Sequence, residues 1–516
     1  MNLSAHQIAI CLAVFYLLIF ISSYVFFGKS KHKIGIIALV VIGFFIRLFV
    51  SGIDPFLQDW DERFHALVAK NMMSHPLTPM LRVESIFPYN ISDWCCNHVW
   101  LHKQPEFLWQ MALSMKLFGV NIMAMRLPSI IMGTISILLI YDIARLWTKE
   151  NEIAFLSASL FSFSFYQLEL TNGSIASDHN DVAFAFYVTA SIWSFLRYIH
   201  STKKTKWILA IGLFVGLAVL NKWLTGILVF GGWCLYLLLK KEKISKNSSW
   251  WDLLNSVIVS LIVFLPWQWY IMKNFPAESH EVYEHNRRHI TEVIEKHYGG
   301  LRFHLDEISN LYGTGFFIFI LLGIGFVFYN KKIDKNLSIA LISMVAVVYV
   351  FFTIVATKMS GFTYLVNSII WVLIASGLLF ILSFFKLSDR PMKILKLSTI
   401  AIITFFSLKP YKIIESRTSD NIARNNKIYN TQIFRNLDLT GDLKGRVILN
   451  CKSFQDTELM FYQDVTAYQW HPNEQVLDSL MNLGYQFAAF RSQEGYYLPA
   501  FITKNKAIKI IEEDLR

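Results

Sequence analysis

The stretch QDWDERFHALVAKNM at 58–72 places Asp59, Asp61 and Glu62 within four residues, with Arg63 next. A carboxylate is a base near neutral pH, so it can take or orient the proton of a hydroxyl, including that of a sugar. The apolar residues Phe64, Leu67, Val68 and Met72 share one face of a helix that follows, which makes Asp61 and Glu62 first-turn residues. Acids in a first turn are favoured by the helix dipole by a few tenths to ~1 kcal/mol, and a cap needs only one. Three acids leave both readings open, capping and chemistry.

Further candidates follow along the chain. Lys103 precedes Pro105 at the head of an apolar segment, and either snorkels or meets an anion. Arg126 before Pro128 reads as an anchor at the start of a span. SDHND (177–181) opens another apolar run, and Asp181 is a cap or a second reactive acid. Asp178 and His179 are adjacent and do not share a helix face, so they make no metal site. Lys222 in LNKWLTG, and Lys358 and Tyr364 in TKMSGFTY, stand at the ends of apolar runs, where a lysine snorkels or needs an anionic partner such as a lipid phosphate. The segment 272–310 holds Glu278, His280, Glu281, Glu284, His285, Arg287, Arg288, His289 and His297, and reads as a solvated loop or a lid over a substrate.

The elements that must position these residues are membrane spans. Of 516 residues, 54% are hydrophobic and 16% charged, against about a quarter charged in a soluble domain. Apolar runs near 20 residues recur, which predicts an all-α, multi-span protein with about 12–13 transmembrane helices. Spans are expected near 7–27, 34–51, 127–147, 152–170, 182–199, 207–222, 224–240, 251–271, 311–329, 337–356, 363–384 and 393–409, with 105–119 an interfacial helix or a thirteenth. The leading MNLSAHQ has no Lys or Arg and no A-x-A-like site follows, so the first run is expected to be retained.

Charge orders the topology. GKSKHK, RLWTKE, HSTKKTK, KKEKISK, NKKIDK and KLSDRPMK are all basic and fall on one side if 105–119 does not span. That side is the cytoplasm by the positive-inside rule. The loops 52–126, 172–181 and 272–310 and the tail 410–516 then lie outside, with every unusual polar residue. The net charge of +11 is accounted for by those basic loops, so no nucleic acid is expected as a partner. Of the five cysteines, Cys11 and Cys234 lie in apolar runs, Cys451 lies in a polar region, and Cys95 next to Cys96 would make a strained bridge.

The tail alternates strand-like VILNC, VTAYQW and YQFAAFR with helix-like DTELMFYQ and PNEQVLDSLMNLG, Gly484 closing the last. A small α/β domain over 410–516 is expected beside a transmembrane domain over 1–409 that includes loops 52–126 and 272–310. No P-loop and no GxGxxG after a strand is present, so ATP is not expected to be used; no cofactor and no metal is expected.

With these residues in place, the chain resembles the polyprenyl-phosphate-sugar-dependent glycosyltransferases. These are GT-C membrane enzymes of the ArnT-like and protein O-mannosyltransferase-related kind. DWDERFHALVAKNM resembles their first-loop D-E element, and HKQPEFLWQMALSMKLFGVNIMAMRLPS is similar to their K-P-P-L…L-F-G…R-L-P-S stretch. DHNDVAFAFYVTASIW, NKWLTG and TKMSGFTYLVNSII are similar to three later elements, in order, over roughly 55–375. Here K-P-P is Lys103-Gln104-Pro105, Arg63 stands one place early, and the prolines around Tyr364 are absent.

The resemblance implies a membrane glycosyltransferase that moves a sugar, with inversion, from a polyprenyl-phosphate donor to a lipid, glycan or protein acceptor. It implies catalytic Asp61, Glu62 and Asp181, with Lys103, Lys222, Lys358 and Tyr364 at the donor phosphate. It also implies a bacterial inner membrane and an extracytoplasmic site. A secondary transporter of a small anionic or sugar-containing solute is the alternative, although no repeat and no mid-span charge favours it. A non-catalytic receptor or assembly factor working through the tail is a third reading.

Overall fold

The computed structural model describes residues 3–28, 31–88, 90–92, 97–244, 248–493 and 495–516, without the side chain of Trp223. Cys95 and Cys96 lie outside the described residues. The chain folds as two compact units. One, the membrane unit, is His6–Ser51 with Ser129–Ile414; the other, the outer unit, is Gly52–Pro128 with Glu415–Arg516 and the first five residues. The first loop thus belongs with the tail, whereas the sequence pattern attached it to the spans.

Among the described residues nine helices are long and apolar enough to cross a membrane, from Ala5–Phe26 to Asp389–Glu415. Two further spans are broken. Asn151–Ser162 and Phe165–Thr171 meet at 48°, and Phe303–Leu311 and Phe316–Tyr329 at 97°. Leu224–Leu239 is apolar but shorter. All twelve expected runs are therefore helical, yet three are not straight spans. The causes are local. Ser164 caps a new helix by accepting from the Gln167 N–H, Gly313 and Gly315 carry positive φ between the second pair, and the 3-10 turn Trp223–Ile227 shortens the helix after it. Hydropathy measures apolar length and is blind to such breaks. The segment 105–119 forms the helix Glu106–Phe118 of 13 residues, about 20 Å long against a core of about 30 Å.

In the membrane unit, Thr205–Lys222 packs on Asp178–His200 and on Ser249–Asn274. Gly212 and Gly216 make the second contact: a Cβ on Gly212 would sit 2.5 Å from the Ser256 carbonyl oxygen, and one on Gly216 2.5 Å from Val263. Small residues four apart let two helices touch backbone to side chain. That packing fixes the helix that ends at Lys222.

The outer unit holds the small sheet. β1 (Val447–Leu449) and β4 (Lys509–Leu515) pair with β2 (Phe487–Gln493) in parallel, and the short β3 (Tyr496–Tyr497) pairs with β2 antiparallel. VTAYQW contributes only a bridge, Ala467 to Ile448, not a full strand. Helix Glu474–Asn482 ends as expected, with Gly484 at φ +94 and the Tyr485 N–H on the Leu480 carbonyl. Cys451, read as lying in a polar stretch, is fully buried behind β1, whereas Cys11 and Cys234 are only half-buried. Phe87 from the first loop is built into the tail's core, among Val447, Leu449, Tyr468, Leu477 and Phe487.

Candidate active site

In the outer unit the acids of 54–62 are placed by helix Asp61–Met72, which packs on Glu106–Phe118 and on Asp456–Tyr462. The residue before the helix is Trp60, at φ 60°, and no side chain caps it. Trp60 itself therefore supplies no side-chain cap.

Each acid has a different environment. Asp54 is buried and pairs with Arg417 at 3.0 Å and Arg424 at 3.0 Å. Asp59, partly exposed, pairs with Arg63 at 3.0 Å and Lys427 at 2.5 Å. Glu62 is wholly buried and bidentate: Arg126 Nε donates to one oxygen at 2.7 Å and Nη2 to the other at 2.8 Å. The Gln58 N–H adds a third bond to Glu62 at 2.6 Å. Asp61 meets the Lys103 ammonium at 3.6 Å, beyond hydrogen-bond reach, and both side chains keep some exposure, 15% and 17%.

The two neighbouring acids thus differ in burial and partners. A buried bidentate pair fixes geometry, so Glu62 holds the first turn in place. Asp61, on that same turn, is solvent-accessible beside a cation, the condition for proton transfer at a substrate. The next links run into the tail. Arg63 also pairs with Glu458 at 3.1 Å, and Arg82 with Asp456 at 2.5 Å. Burial lifts the Glu458 and Asp456 carboxyls above their ordinary range, against the pull of Arg63 and Arg82 respectively.

The membrane unit holds a second cluster. Helix Asp178–His200 opens through Ser177 at φ 69° and Asp178 at φ 25°, and Asp181 in its first turn forms an ion pair with Lys222. Ser360–Val366 packs against that turn. A Cβ on Gly361 would lie 2.6 Å from Asp181 Oδ2 and 3.0 Å from the Tyr166 hydroxyl, so only glycine fits. Lys222 Nζ also lies 5.4 Å from the Phe362 ring centroid.

Tyr364 is buried; its hydroxyl donates to Gln167 Oε1 at 3.0 Å and its ring lies 4.8 Å from that of Tyr166. Lys358 is buried too. Its ammonium donates to the carbonyls of Phe352 at 2.9 Å, Thr353 at 2.7 Å and Val355, closing the C-terminal end of helix Lys335–Ile354.

The segment 272–310 is largely helical, led by Pro276–Thr291. Its far end is tied by main-chain bonds. The Ala356 N–H donates to Ile290 O at 2.9 Å, the Thr357 N–H to His289 O at 3.1 Å and the Lys358 N–H to His297 O at 2.8 Å. The Thr357 hydroxyl donates to Glu292 O and accepts from the Ile294 N–H.

Of the expected site residues, the structure thus brings Asp61 to Lys103 and Asp181 to Lys222, locks Glu62 onto Arg126, and gives Tyr364 and Lys358 internal partners. Arg126, expected to anchor a span, is the clamp on Glu62. Sequence reasoning missed Arg417, Arg424 and Lys427. Their signal was present, as a basic run on a tail that the charge rule assigns to the outside.

This arrangement can be compared with known proteins. The crystal structure of ArnT from Cupriavidus metallidurans bound to undecaprenyl phosphate matches with a TM-score of 0.62 at 14% identity, covering 88% of each chain. The chain has the GT-C fold of ArnT. The GT-C likeness extends to the archaeal oligosaccharyltransferase AglB from Archaeoglobus fulgidus, in complex with an inhibitory peptide and a dolichol-phosphate. That match has a TM-score of 0.56 at 13% identity, over 86% of this chain and 65% of that one.

By sequence, the dolichyl-phosphate-mannose-protein mannosyltransferase family model matches residues 102–270, which include Lys103, Asp181 and Lys222. An uncharacterized protein of Aquifex aeolicus is 33% identical over 187 residues, 36% of this chain and 34% of that protein. The undecaprenyl phosphate-α-4-amino-4-deoxy-L-arabinose arabinosyl transferase of Pseudomonas paraeruginosa is 25% identical over 186 residues, 34% of this chain and 32% of that one. These matches span about a third of the length of the curated relatives.

Proposed function

We propose that this GT-C protein is an inverting membrane glycosyltransferase that takes its sugar from a polyprenyl-phosphate donor. The observation that carries the reading is Asp61, a partly accessible carboxylate on a turn locked by Glu62–Arg126, within a chain that has the ArnT fold. The likeness to ArnT bound to undecaprenyl phosphate, and to AglB with a dolichol-phosphate, supports a lipid phosphate donor. It argues against the transporter alternative.

In the reaction an acceptor hydroxyl attacks the anomeric carbon of the donor sugar. Asp61 takes the hydroxyl proton as the new C–O bond forms. The bond from that carbon to the phosphate oxygen breaks, and the polyprenyl phosphate leaves with the electron pair. Lys103, beside Asp61, neutralises the charge growing on the phosphate; Lys222, its ammonium held by Asp181, is the membrane unit's own cation for an anionic partner. Glu62 is a positioning residue. Lys358 would reach a phosphate only by giving up its carbonyl partners, so its part is to hold the end of its helix; Tyr364 braces Tyr166 through ring contact.

The basic loops support an orientation with the outer unit on the extracytoplasmic side, and the bacterial relatives support an inner-membrane location. The sugar, pentose or hexose, follows from the donor used. Purified protein in lipid is incubated with a panel of polyprenyl-phosphate sugars and envelope extract, and released polyprenyl phosphate is measured. Release from one donor, absent in Asp61→Asn, is the expected result. No release from any donor by folded protein overturns the reading.

A further inference from the structure

We propose that Trp60 and Phe454 form a stacking shelf for a sugar ring of the acceptor, and hence that the acceptor is a glycan. The inference rests on Asp61 as the base of a glycosyl transfer, and goes beyond it by naming what Asp61 deprotonates.

Trp60 is 53% exposed and is the residue immediately before Asp61. Its ring lies 4.5 Å from that of Phe454, which comes from the tail. The cluster continues inward: Phe454 meets Phe64 at 5.9 Å with the rings tilted, and Phe64 stacks on Trp100 at 6.2 Å, the last two buried. An aromatic cluster thus carries an exposed indole on the residue next to Asp61.

The backbone supplies an independent observation. Trp60 has φ 60° and Phe454 φ 56°. A bulky side chain at positive φ is an outlier, and glycine would take either position without strain. Two aromatic residues both held there, in contact with each other, mark a site where the surrounding structure sustains strain for a purpose. The local charges are balanced, Asp59 by Arg63 and Lys427, and Asp61 by Lys103. That balance disfavours a cationic ligand. An exposed indole next in the chain to paired carboxylates matches a neutral sugar ring, whose C–H face is apolar and whose rim is hydroxyls.

The test uses the full chain in nanodiscs and titrates it with a panel of neutral di- to tetrasaccharides of glucose, galactose, mannose and N-acetylglucosamine, followed by calorimetry. One class is expected to bind wild type, and about tenfold more weakly to Trp60→Gly and to Phe454→Gly. Trp60→Phe restores part of the affinity. Trp60→Gly is expected to unfold at the same or a higher temperature than wild type, because strain is relieved as the ring is lost; a residue with only a structural role would lose stability instead. Tyr497→Ala, an exposed aromatic elsewhere on the tail, binds as wild type does. With that saccharide as acceptor, Trp60→Gly raises KM about tenfold with kcat within a factor of two.

No saccharide binding by wild type, unchanged affinity in Trp60→Gly, or binding and stability falling together each overturns the shelf. An indole that merely anchors the protein at the bilayer gives the second result. The binding arm needs no turnover. Absent donor turnover with saccharide binding intact therefore condemns the transferase reading and not the shelf.

Discussion

The surroundings of Asp61 in the outer unit and of Asp181 in the membrane unit hold charge differently. Near Asp61 the charges are meshed: Asp54 has two arginines, Arg63 has Asp59 and Glu458, and Glu62 is gripped at both oxygens. In the membrane unit Asp181 and Lys222 form a pair walled by Gly361 and Phe362. A mesh makes each member structural, since removing one strands the others in low dielectric. Asp61 differs in keeping some solvent exposure, 15%, beside the partly exposed Lys103, which a substrate can reach. Burial therefore separates the acids within this one run: Glu62 and Asp54 are buried, and Asp61 keeps some exposure.

The comparison breaks most sharply at Asp61. Asp61→Asn is expected to lower polyprenyl phosphate release about 10²–10⁴-fold with thermal unfolding unchanged; full activity would return Asp61 to the scaffold. Lys222→Met is expected to cost about 10²–10³-fold in kcat. The double variant Asp181→Asn/Lys222→Met sharpens the point. If Lys222 only neutralises Asp181, the double variant recovers activity; if Lys222 also meets the donor phosphate, it stays inactive.

Glu62→Gln should instead act on stability. It leaves Arg126 buried without its charge partner, a cost of about 3–5 kcal/mol, visible as a lower unfolding temperature. Gly361→Ala forces a methyl against Asp181 and is expected to weaken the Asp181–Lys222 pair, with about tenfold lower activity and intact expression.

The smallest effect is one of pH. Glu458 and Asp456 have folded-state pKa values raised above the unfolded ones by burial. The folded form therefore binds more protons than the unfolded one between about pH 4 and those raised values. Stability falls as pH rises through that window, and Asp456→Asn/Glu458→Gln should flatten the slope of unfolding temperature against pH.

The sequence carried the spans because a 20-residue apolar run has few alternatives, and it singled out Asp61, Lys103, Asp181 and Lys222 as charged residues at the ends of such runs. It did not carry the mesh. Asp54 meets Arg417 and Arg424 across more than 360 residues of chain, and no local pattern encodes a contact at that range. For the same reason Phe87 reads as a loop residue although it lies in the tail's core. Breaks in helices escape hydropathy where one serine or two glycines, not a loss of apolar character, redirect the chain.

The bonds that fasten 289–297 to 356–358 run mostly between peptide groups, with the Thr357 hydroxyl joining them. Peptide groups are the same in every residue, so such a fastening does not record which amino acids lie along it. The exposed side chains of 289–297 can consequently vary while the strap keeps its course, provided that one hydroxyl is kept and the residues at 295 and 296, at φ 53° and 63°, tolerate that backbone. This makes the strap the segment where chimeras between related chains should graft with least disturbance.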